Sequence, residues 1–189
     1  MARVFVITGP SGVGKGTLIR ELLERVPQLR LSVSATTRAP RRGERHGIDY
    51  YFLSAGEFES RVRDGEFVEH ATYSGNRYGT LRSELARRAD DGAPVVLEIE
   101  VQGARQVRAS IPDAVAVFIA PPSRDALRAR LLGRGTDAAE QVNARLATAE
   151  GELAAQPEFG HVVVNDRLQE AADQLVAIVE GAQSAAAGA

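Results

Sequence analysis

Short apolar runs alternate with longer amphipathic segments along most of the chain. Uninterrupted apolar runs are typical of buried parallel strands, and they occur at residues 4–8, 31–34, 94–100, 114–120 and 161–165. Helical spacing of apolar residues separates the later runs, at residues 102–110, 123–132, 138–156 and 168–181. This alternation predicts an α/β fold with a parallel sheet flanked by helices.

The first strand leads into a glycine-rich turn and then a helix. Leu18, Leu22 and Val26 recur at helical spacing after the turn, and Pro27 ends the pattern. The order strand, glycine loop, helix start is the structural context of a phosphate-binding loop, and it predicts a P-loop NTPase-type sheet.

Residues 35–85 interrupt the rhythm with a polar stretch rich in arginine and tyrosine, where only 58–63 has a clear helical pattern. We expect an inserted subdomain of mostly short strands at 35–85. Residues 1–34 and 86–183 then form the core domain. A glycine-punctuated basic turn at 133–137 predicts a second small insertion, and residues 184–189 are expected to be a disordered tail.

Composition excludes several classes of function. The chain has 189 residues, 25% of them charged, with a net charge of -2, which argues against a general nucleic-acid binder. The absence of cysteine excludes disulfides, cysteine-ligated zinc and thiol catalysis. The three histidines have no ligand spacing, so we predict no metal site built from side chains.

The apolar runs are also too short for a membrane segment. None reaches the about 18 residues needed to cross a bilayer, and the run near the N-terminus is too short for a signal peptide. We expect a soluble cytoplasmic protein without a membrane partner; its oligomeric state is left open.

The sequence GPSGVGKGT supplies the candidate phosphate loop. Its glycines allow main-chain N–H groups to converge on phosphate oxygens, and the following helix start adds a positive end. Lys15, which would bridge the β- and γ-phosphates, is the only lysine among 23 basic residues. A purely structural turn is the alternative. The predicted ATP contacts are Gly9, Pro10, Ser11, Gly12, Val13, Gly14, Lys15, Gly16 and Thr17.

The loop departs from the usual pattern, because Gly16 follows the lysine where Ser or Thr normally meets Mg²⁺. This GKGT form resembles the loop of several nucleoside monophosphate kinases, in which Mg²⁺ rides on the nucleotide and is held mainly through water. Thr17 remains a candidate contact to phosphate or to metal-bound water.

Arginines are concentrated at positions 38, 41, 42 and 45, next to Tyr50 and Tyr51. A solvated basic loop is one interpretation of this cluster. The other is a second phosphate site, because arginine grips phosphate with a bidentate fork and tyrosine adds a neutral donor. A second phosphate site beside a triphosphate loop indicates an acceptor that itself carries phosphate.

The chain is similar to the guanylate kinases over residues 3–181. The segments that carry the resemblance follow one another in family order: GPSGVGKGT, SVSATTRAPRRGERHGIDYYF, GEFVEHATYSGNRYGT, EIEVQGA, FIAPPS, LLGRGT and VVVND. The resemblance implies transfer of the γ-phosphoryl group of ATP to GMP, and also to dGMP, with Mg²⁺ carried by ATP.

The resemblance also implies site residues. The positions that hold the GMP phosphate correspond to Arg38, Arg41, Tyr50 and Tyr78, and those that read guanine to Ser34, Glu69, Thr80 and Glu100. The residue types suit the base: a carboxylate accepts from guanine N1–H and N2–H, and hydroxyls donate to O6. Adenine would leave these groups unpaired.

Glu98 and Glu100 end the run at 94–100 and are expected to face the same side of a strand. The family has aspartate at both positions, so each carboxylate here reaches one methylene further. By resemblance, Glu98 lies near hydrated Mg²⁺.

The resemblance further implies a mobile lid at about 133–145. Arg130, Arg134 and Arg145 match arginines in and around it that close over the ATP phosphates, although helix-surface ion pairs would also explain Arg130. Asn165 and Asp166 follow a strand end and are candidates for adenine contact.

Lys15, Arg38, Arg134 and Arg145 are the predicted catalytic residues, acting through alignment and charge neutralisation without a general base. Two other interpretations stay open: a phosphate-loop kinase with another acceptor, such as AMP or a pyrimidine nucleotide, and a non-catalytic guanylate-kinase-like module that binds phosphopeptides.

Overall fold

A computed structural model describes residues 3–132 and 139–187 of the chain. The strands are Val4–Thr8 (β1), Arg30–Leu31 (β2), Ala35–Thr36 (β3), Tyr51–Phe52 (β4), Phe67–Tyr73 (β5), Asn76–Leu81 (β6), Val95–Glu98 (β7), Val115–Ala120 (β8) and His161–Val164 (β9). The helices are Lys15–Arg25 (α1), Ala55–Arg63 (α2), Arg82–Arg88 (α3), Val101–Ser110 (α4), Arg124–Leu132 (α5), Ala139–Ala154 (α6) and Leu168–Ala187 (α7).

The strands form two sheets. The central sheet has five strands in the order β2-β7-β1-β8-β9, and its pairs β2–β7 and β8–β9 are parallel. The second sheet has four strands in the order β4-β3-β6-β5, with β6 antiparallel to both of its neighbours. The predicted α/β class, a mostly parallel central sheet flanked by helices, is confirmed.

The chain divides into two compact units. The first unit comprises Met1–Val6 and Gln28–Ala114, and the second comprises Ile7–Pro27 and Val115–Ala189. In the first unit the second sheet packs around Ala35, Phe58, Phe67 and Leu81, all buried. In the second unit β8 is buried through Phe118 and Ile119.

Two predicted strands are wrong at their ends. The run at 31–34 is a strand only through Leu31, because the N–H of Val33 donates to the Glu84 carboxylate rather than to a strand carbonyl. The run at 94–100 ends at Glu98, because Glu100 is the N-cap of α4 and its carbonyl accepts from Ala104 N–H. Glu100 therefore lies beyond the end of β7, and the prediction that Glu98 and Glu100 both end this strand is wrong for Glu100.

Two helices begin where the apolar pattern gave no signal. The capping box of Ser54 and Glu57 starts α2 ahead of Phe58. The pattern missed α3 altogether, because its buried residue is the charged Glu84. At the other end of the chain, α7 continues through Ala187 into residues predicted to be a tail, where alanine favours helix.

None of the helices in the described residues is long and apolar enough to span a membrane.

The carboxylate of Glu84 joins three parts of the first unit. It accepts hydrogen bonds from Val33 N–H at 3.1 Å, from the Tyr51 hydroxyl at 2.9 Å and from Arg88 Nε at 2.7 Å. Burial alone would raise the pKa of Glu84, but bonds from Arg88, Val33, Arg87 and Tyr51 outweigh it and lower the pKa. Glu84 is thus a buried anion stabilised by its donors.

Replacement of Glu84 by alanine is expected to lower the free energy of unfolding by about 3 kcal/mol, because buried donors lose their acceptor. Urea denaturation measures the change, with Glu59→Ala, on the exposed face of α2, as the matched control. A loss for Glu84→Ala no larger than that of the control would show that Glu84 does not hold these segments together.

Candidate active site

The loop after β1 is built from conformations that require glycine. Gly9 has φ +143°, and a Cβ added there would lie 2.3 Å from the carbonyl oxygen of Ile119. Gly14 has φ +98°, and a Cβ there would lie 2.7 Å from the amide nitrogen of Asn165. Side chains at either position would therefore displace the loop from the elements that support it.

The start of α1 is open to an anion. Gly14 is its N-cap in the left-handed conformation, and no side chain caps the first turn. Gly16 and Thr17 in that turn are exposed. Unpaired N–H groups at a helix start attract phosphate through both hydrogen bonds and the helix dipole. Gly16 stands at the position where the usual motif has Ser or Thr. Because it has no side chain, it leaves the helix start uncovered.

The ammonium of Lys15 folds back over its own loop. Its Nζ donates to the carbonyl of Gly9 at 2.6 Å and lies 3.4 Å from the carbonyl of Pro10. These two carbonyls thus hold the ammonium group of Lys15 close to the main-chain N–H groups of the same loop.

Polar side chains clamp the turn at Val13. The Asn165 amide donates to the Val13 carbonyl at 2.8 Å. Arg130 donates to the same carbonyl at 3.2 Å and to the carbonyl of Asn165 at 2.9 Å. The N–H of Ser11 donates to a carboxylate oxygen of Glu152 at 3.3 Å. Arg130, Asn165 and Glu152 thus bond directly to the main chain of the loop. The sequence carried no signal for Glu152, because it lies on α6, far from the loop along the chain.

A second cationic site, in the first unit, contains Arg38. Its guanidinium donates to the Glu44 carboxylate at 2.9 Å and to the carbonyl of Ala39 at 2.8 Å, and lies 5.2 Å from the centre of the Tyr50 ring. Glu44 also accepts from the main-chain N–H of Arg41 at 2.7 Å. Sequence reasoning missed Glu44, which fixes Arg38 and the turn that carries Arg41.

Tyr50 and Tyr78 lie together beside Arg38, with ring centres 6.2 Å apart. The pKa of the Tyr50 hydroxyl is raised, first by burial and then by the negative charge of Glu98, with a smaller opposing effect of Arg38. Tyr50 therefore stays protonated and can act as a neutral donor. The exposed side chain of Arg41 belongs to the same loop.

The second sheet carries a buried carboxylate, that of Glu69. Glu69 on β5 is 3% exposed, and its Oε1 accepts from the hydroxyl of Thr80 on β6 at 2.8 Å. Its Oε2 faces α4, where a Cβ on Gly103 would come within 2.3 Å of it. Burial raises the pKa of Glu69 to about 7; bonds from Thr80 oppose this, and the charge of Glu100 adds to it.

Ser34 and Glu100 complete this group. Ala35 pairs with Gly79 in the antiparallel register, so the flanking residues Ser34 and Thr80 are neighbours. One carboxylate oxygen of Glu100 is buried and has no hydrogen-bond partner among the described residues. The first unit thus places Thr80 and Glu100 beside Glu69, with Ser34 next to Thr80 in the strand register; that these residues read guanine stays a prediction.

Two predicted catalytic arginines have no described side chain. Arg134 is outside the described residues, and so is the side chain of Arg145. Within the described parts of the chain, no cluster of three or more histidine or acidic side chains could hold a metal ion.

A glycine-rich loop between a buried strand and an uncapped helix start, in a mostly parallel α/β sheet, defines a phosphate-loop nucleotide-binding protein. The family model for guanylate kinase matches residues 1–182. A guanylate kinase of Synechococcus sp. (strain CC9311) is 53% identical over 175 residues, which are 93% of this chain and 92% of that protein.

A guanylate kinase of Streptomyces coelicolor is 50% identical over 176 residues, covering 93% of this chain and 89% of that protein. The crystal structure of guanylate kinase from Anaplasma phagocytophilum superposes with a TM-score of 0.77 at 35% identity, covering 95% of this chain and 85% of that one. The chain belongs to the guanylate kinase family, and it is thereby a phosphotransferase of the nucleoside monophosphate kinases. The resemblance found in the sequence is confirmed.

Burial of Glu69 has a consequence for stability. Its pKa of about 7 exceeds that of an exposed glutamate, so the folded state holds a proton that the unfolded state releases. Between about pH 4.5 and pH 7, rising pH therefore destabilises the fold, by about 3 kcal/mol in total.

Glu69→Gln is expected to remove this dependence. The original protein should lose about 2.5 kcal/mol of unfolding free energy from pH 5 to pH 8, and the variant should not show this loss. The free energy of unfolding of both proteins is measured at the two pH values. Glu59→Gln, an exposed change, is the control. Parallel pH profiles for Glu69→Gln and the original protein would contradict the raised pKa.

Proposed function

We propose that this guanylate kinase recognises GMP through the Glu69 group and the Arg38 group, and ATP through the loop after β1. ATP serves as the phosphoryl donor, as in the family as a whole. The observation that carries the proposal is the buried Glu69 carboxylate, which has hydroxyls beside it and a second carboxylate nearby.

Guanine fits this group by its hydrogen-bonding pattern. Its N1–H and N2–H donors would bond to the carboxylates of Glu69 and Glu100, and the unpaired oxygen of Glu100 would gain a partner. The hydroxyls of Ser34 and Thr80 would donate to O6. Glu100 is one methylene longer than the family's aspartate, and this extra length would let its carboxylate reach the base from the N-cap position of α4.

The GMP phosphate would be held by Arg38, Arg41, Tyr50 and Tyr78. Arg38 is already oriented by Glu44 and by the Tyr50 ring, which lowers the entropy lost on binding. The protonated hydroxyl of Tyr50 suits a phosphate oxygen. These assignments contact base and phosphate but not the sugar 2′-hydroxyl, so we extend the proposal to dGMP.

The loop amides, the start of α1 and Lys15 would bind the ATP phosphates. Thr17 is exposed at the start of α1, where it would contact water bound to an Mg²⁺ ion carried by the nucleotide. The bound Mg²⁺ would supply charge neutralisation on the transferring group. The role of Glu98 near hydrated Mg²⁺ comes from the family resemblance and stays a prediction.

The reaction needs no general base, because the attacking atom is an anionic phosphate oxygen of GMP. The chain's contribution is alignment of the two phosphates and neutralisation of their charge by Lys15 and Arg38. In the lid expected at about 133–145, Arg134 is outside the described residues, as is the side chain of Arg145; both, together with Arg130, would add positive charge. In this proposal, residues 35–85 form the GMP-binding subdomain of a cytoplasmic enzyme.

An acceptor screen tests the substrate. Release of ADP, measured by a coupled assay with Mg-ATP, is expected with GMP and dGMP and to be at least about 10⁴-fold less efficient with AMP. CMP and UMP are also expected to be poor acceptors. Equal rates with AMP would refute guanine recognition, and absence of ATP binding in calorimetry would favour a non-catalytic module.

Replacement of Lys15 by alanine is expected to lower kcat about a thousandfold, because the transferring phosphoryl group loses its ammonium. Lys15→Arg is expected to be impaired as well, since a planar guanidinium cannot take the place of a compact ammonium against the loop carbonyls. Arg20→Ala, on the exposed face of the same helix, is the control. Normal kcat in Lys15→Ala would remove Lys15 from the reaction.

A further inference from the structure

One face of α4 lies against the base-reading strand β5. Glu100, Gly103 and Gln106 follow one another at intervals of three residues, a spacing that places them on one side of a helix. Each has a described relation to β5: Glu100 acts electrostatically on Glu69, Gly103 approaches the Glu69 carboxylate, and Gln106 bonds to His70. Of these three residues, the proposed function uses only Glu100.

The Gln106 side chain pairs with the main chain of β5 as a neighbouring strand would. Its Oε1 accepts from the N–H of His70 at 3.1 Å, and its Nε2 donates to the carbonyl of His70 at 2.7 Å. β5 is the last strand in the order of its sheet, so a glutamine side chain supplies the bonds that a further strand would make. The residue held in this way is directly adjacent to Glu69.

Gly103 sets how closely the helix and the strand approach. A Cβ at this position would lie 2.3 Å from Oε2 of Glu69 and 3.0 Å from its Cδ. The clash would be with the end of a side chain, so an added methyl group would move the carboxylate and leave the backbone in place. The spacing of α4 and β5 thus determines where the Glu69 carboxylate lies.

We propose that Gln106 is a positioning residue for guanine specificity: it fixes β5 against α4 so that the Glu69 carboxylate meets the 2-amino group of the base. This inference rests on the proposed reading of guanine by Glu69. A misplacement of about 1 Å at such a site costs up to about a hundredfold in efficiency, so the bidentate link to His70 controls recognition without touching the nucleotide.

The hypoxanthine nucleotide IMP reports on this contact, because it keeps N1–H and O6 of guanine and lacks only the 2-amino group. The measured quantity is the ratio of kcat/KM for GMP to that for IMP. General destabilisation would reduce the active fraction for both acceptors equally and leave the ratio unchanged, whereas displacement of Glu69 lowers it.

Gln106→Met keeps the length and helix preference of the side chain and removes both bonds to His70. We expect it to lower the GMP/IMP ratio at least about tenfold, with the KM for ATP unchanged. Gln102→Met, the same change at an exposed position of α4, is the matched control and should leave the ratio within about twofold.

Gly103→Ala provides a second test, because alanine favours the helix over glycine while its methyl group displaces the carboxylate. It should lower the GMP/IMP ratio without lowering the melting temperature, which tests whether the ratio reports on the position of the Glu69 carboxylate. If Gln106→Met folds poorly, the ratio still decides, because it does not depend on the active fraction. Glu69→Gln calibrates the assay: an unchanged ratio there refutes guanine reading by Glu69. A lowered ratio in Glu69→Gln, with unchanged ratios in Gln106→Met and Gly103→Ala, overturns the role of Gln106 alone.

Discussion

The carboxylate of Glu69 is buried against Gly103 and bonded to the Thr80 hydroxyl, in a place where ionisation is costly. Its pKa of about 7 reflects that cost, and the neighbouring charge of Glu100 increases it. Such a group is unfavourable in the empty protein and favourable once donors arrive. In the proposed recognition of GMP, the guanine ring would bring two donors on one edge, so the same burial that weakens the fold would make recognition selective.

The two cationic side chains of the candidate site, Lys15 and Arg38, are held by hydrogen-bond acceptors within the protein. Lys15 bonds to carbonyls of the loop that it serves, and Arg38 is bonded to Glu44 and the carbonyl of Ala39. These contacts keep the charges oriented without neutralising them fully, because carbonyls carry only partial charge and a carboxylate shares its charge with several donors. In the proposed mechanism, the nucleotide phosphates would then be accommodated with little reorganisation, which is the main requirement when catalysis depends on alignment.

Side chains that bond to the main chain position the catalytic elements. Glu84 accepts a hydrogen bond from the N–H of Val33, just beyond the end of β2. Gln106 bonds to the main chain of His70 on β5, the edge strand of its sheet. Asn165 donates to the carbonyl of Val13 in the loop. In each case a polar side chain satisfies a backbone group that regular secondary structure leaves unpaired. These residues touch no reacting atom in the proposed mechanism; they bond to segments that carry the candidate site residues.

The sequence alone determined the α/β class, the loop and the guanylate kinase resemblance, because apolar periodicity and a contiguous motif such as GPSGVGKGT are local properties. Only the tertiary structure decided that Glu100 is the N-cap residue of a helix instead of the end of a strand, that Glu44 and Glu152 bond to Arg38 and Ser11, and that Gln106 bonds to His70, the neighbour of Glu69. The reason is physical: such contacts join a side chain to another residue's main chain or charge, and neither partner carries a periodic signal. A local pattern predicts where an element forms, whereas the position of a buried charge depends on what packs against it.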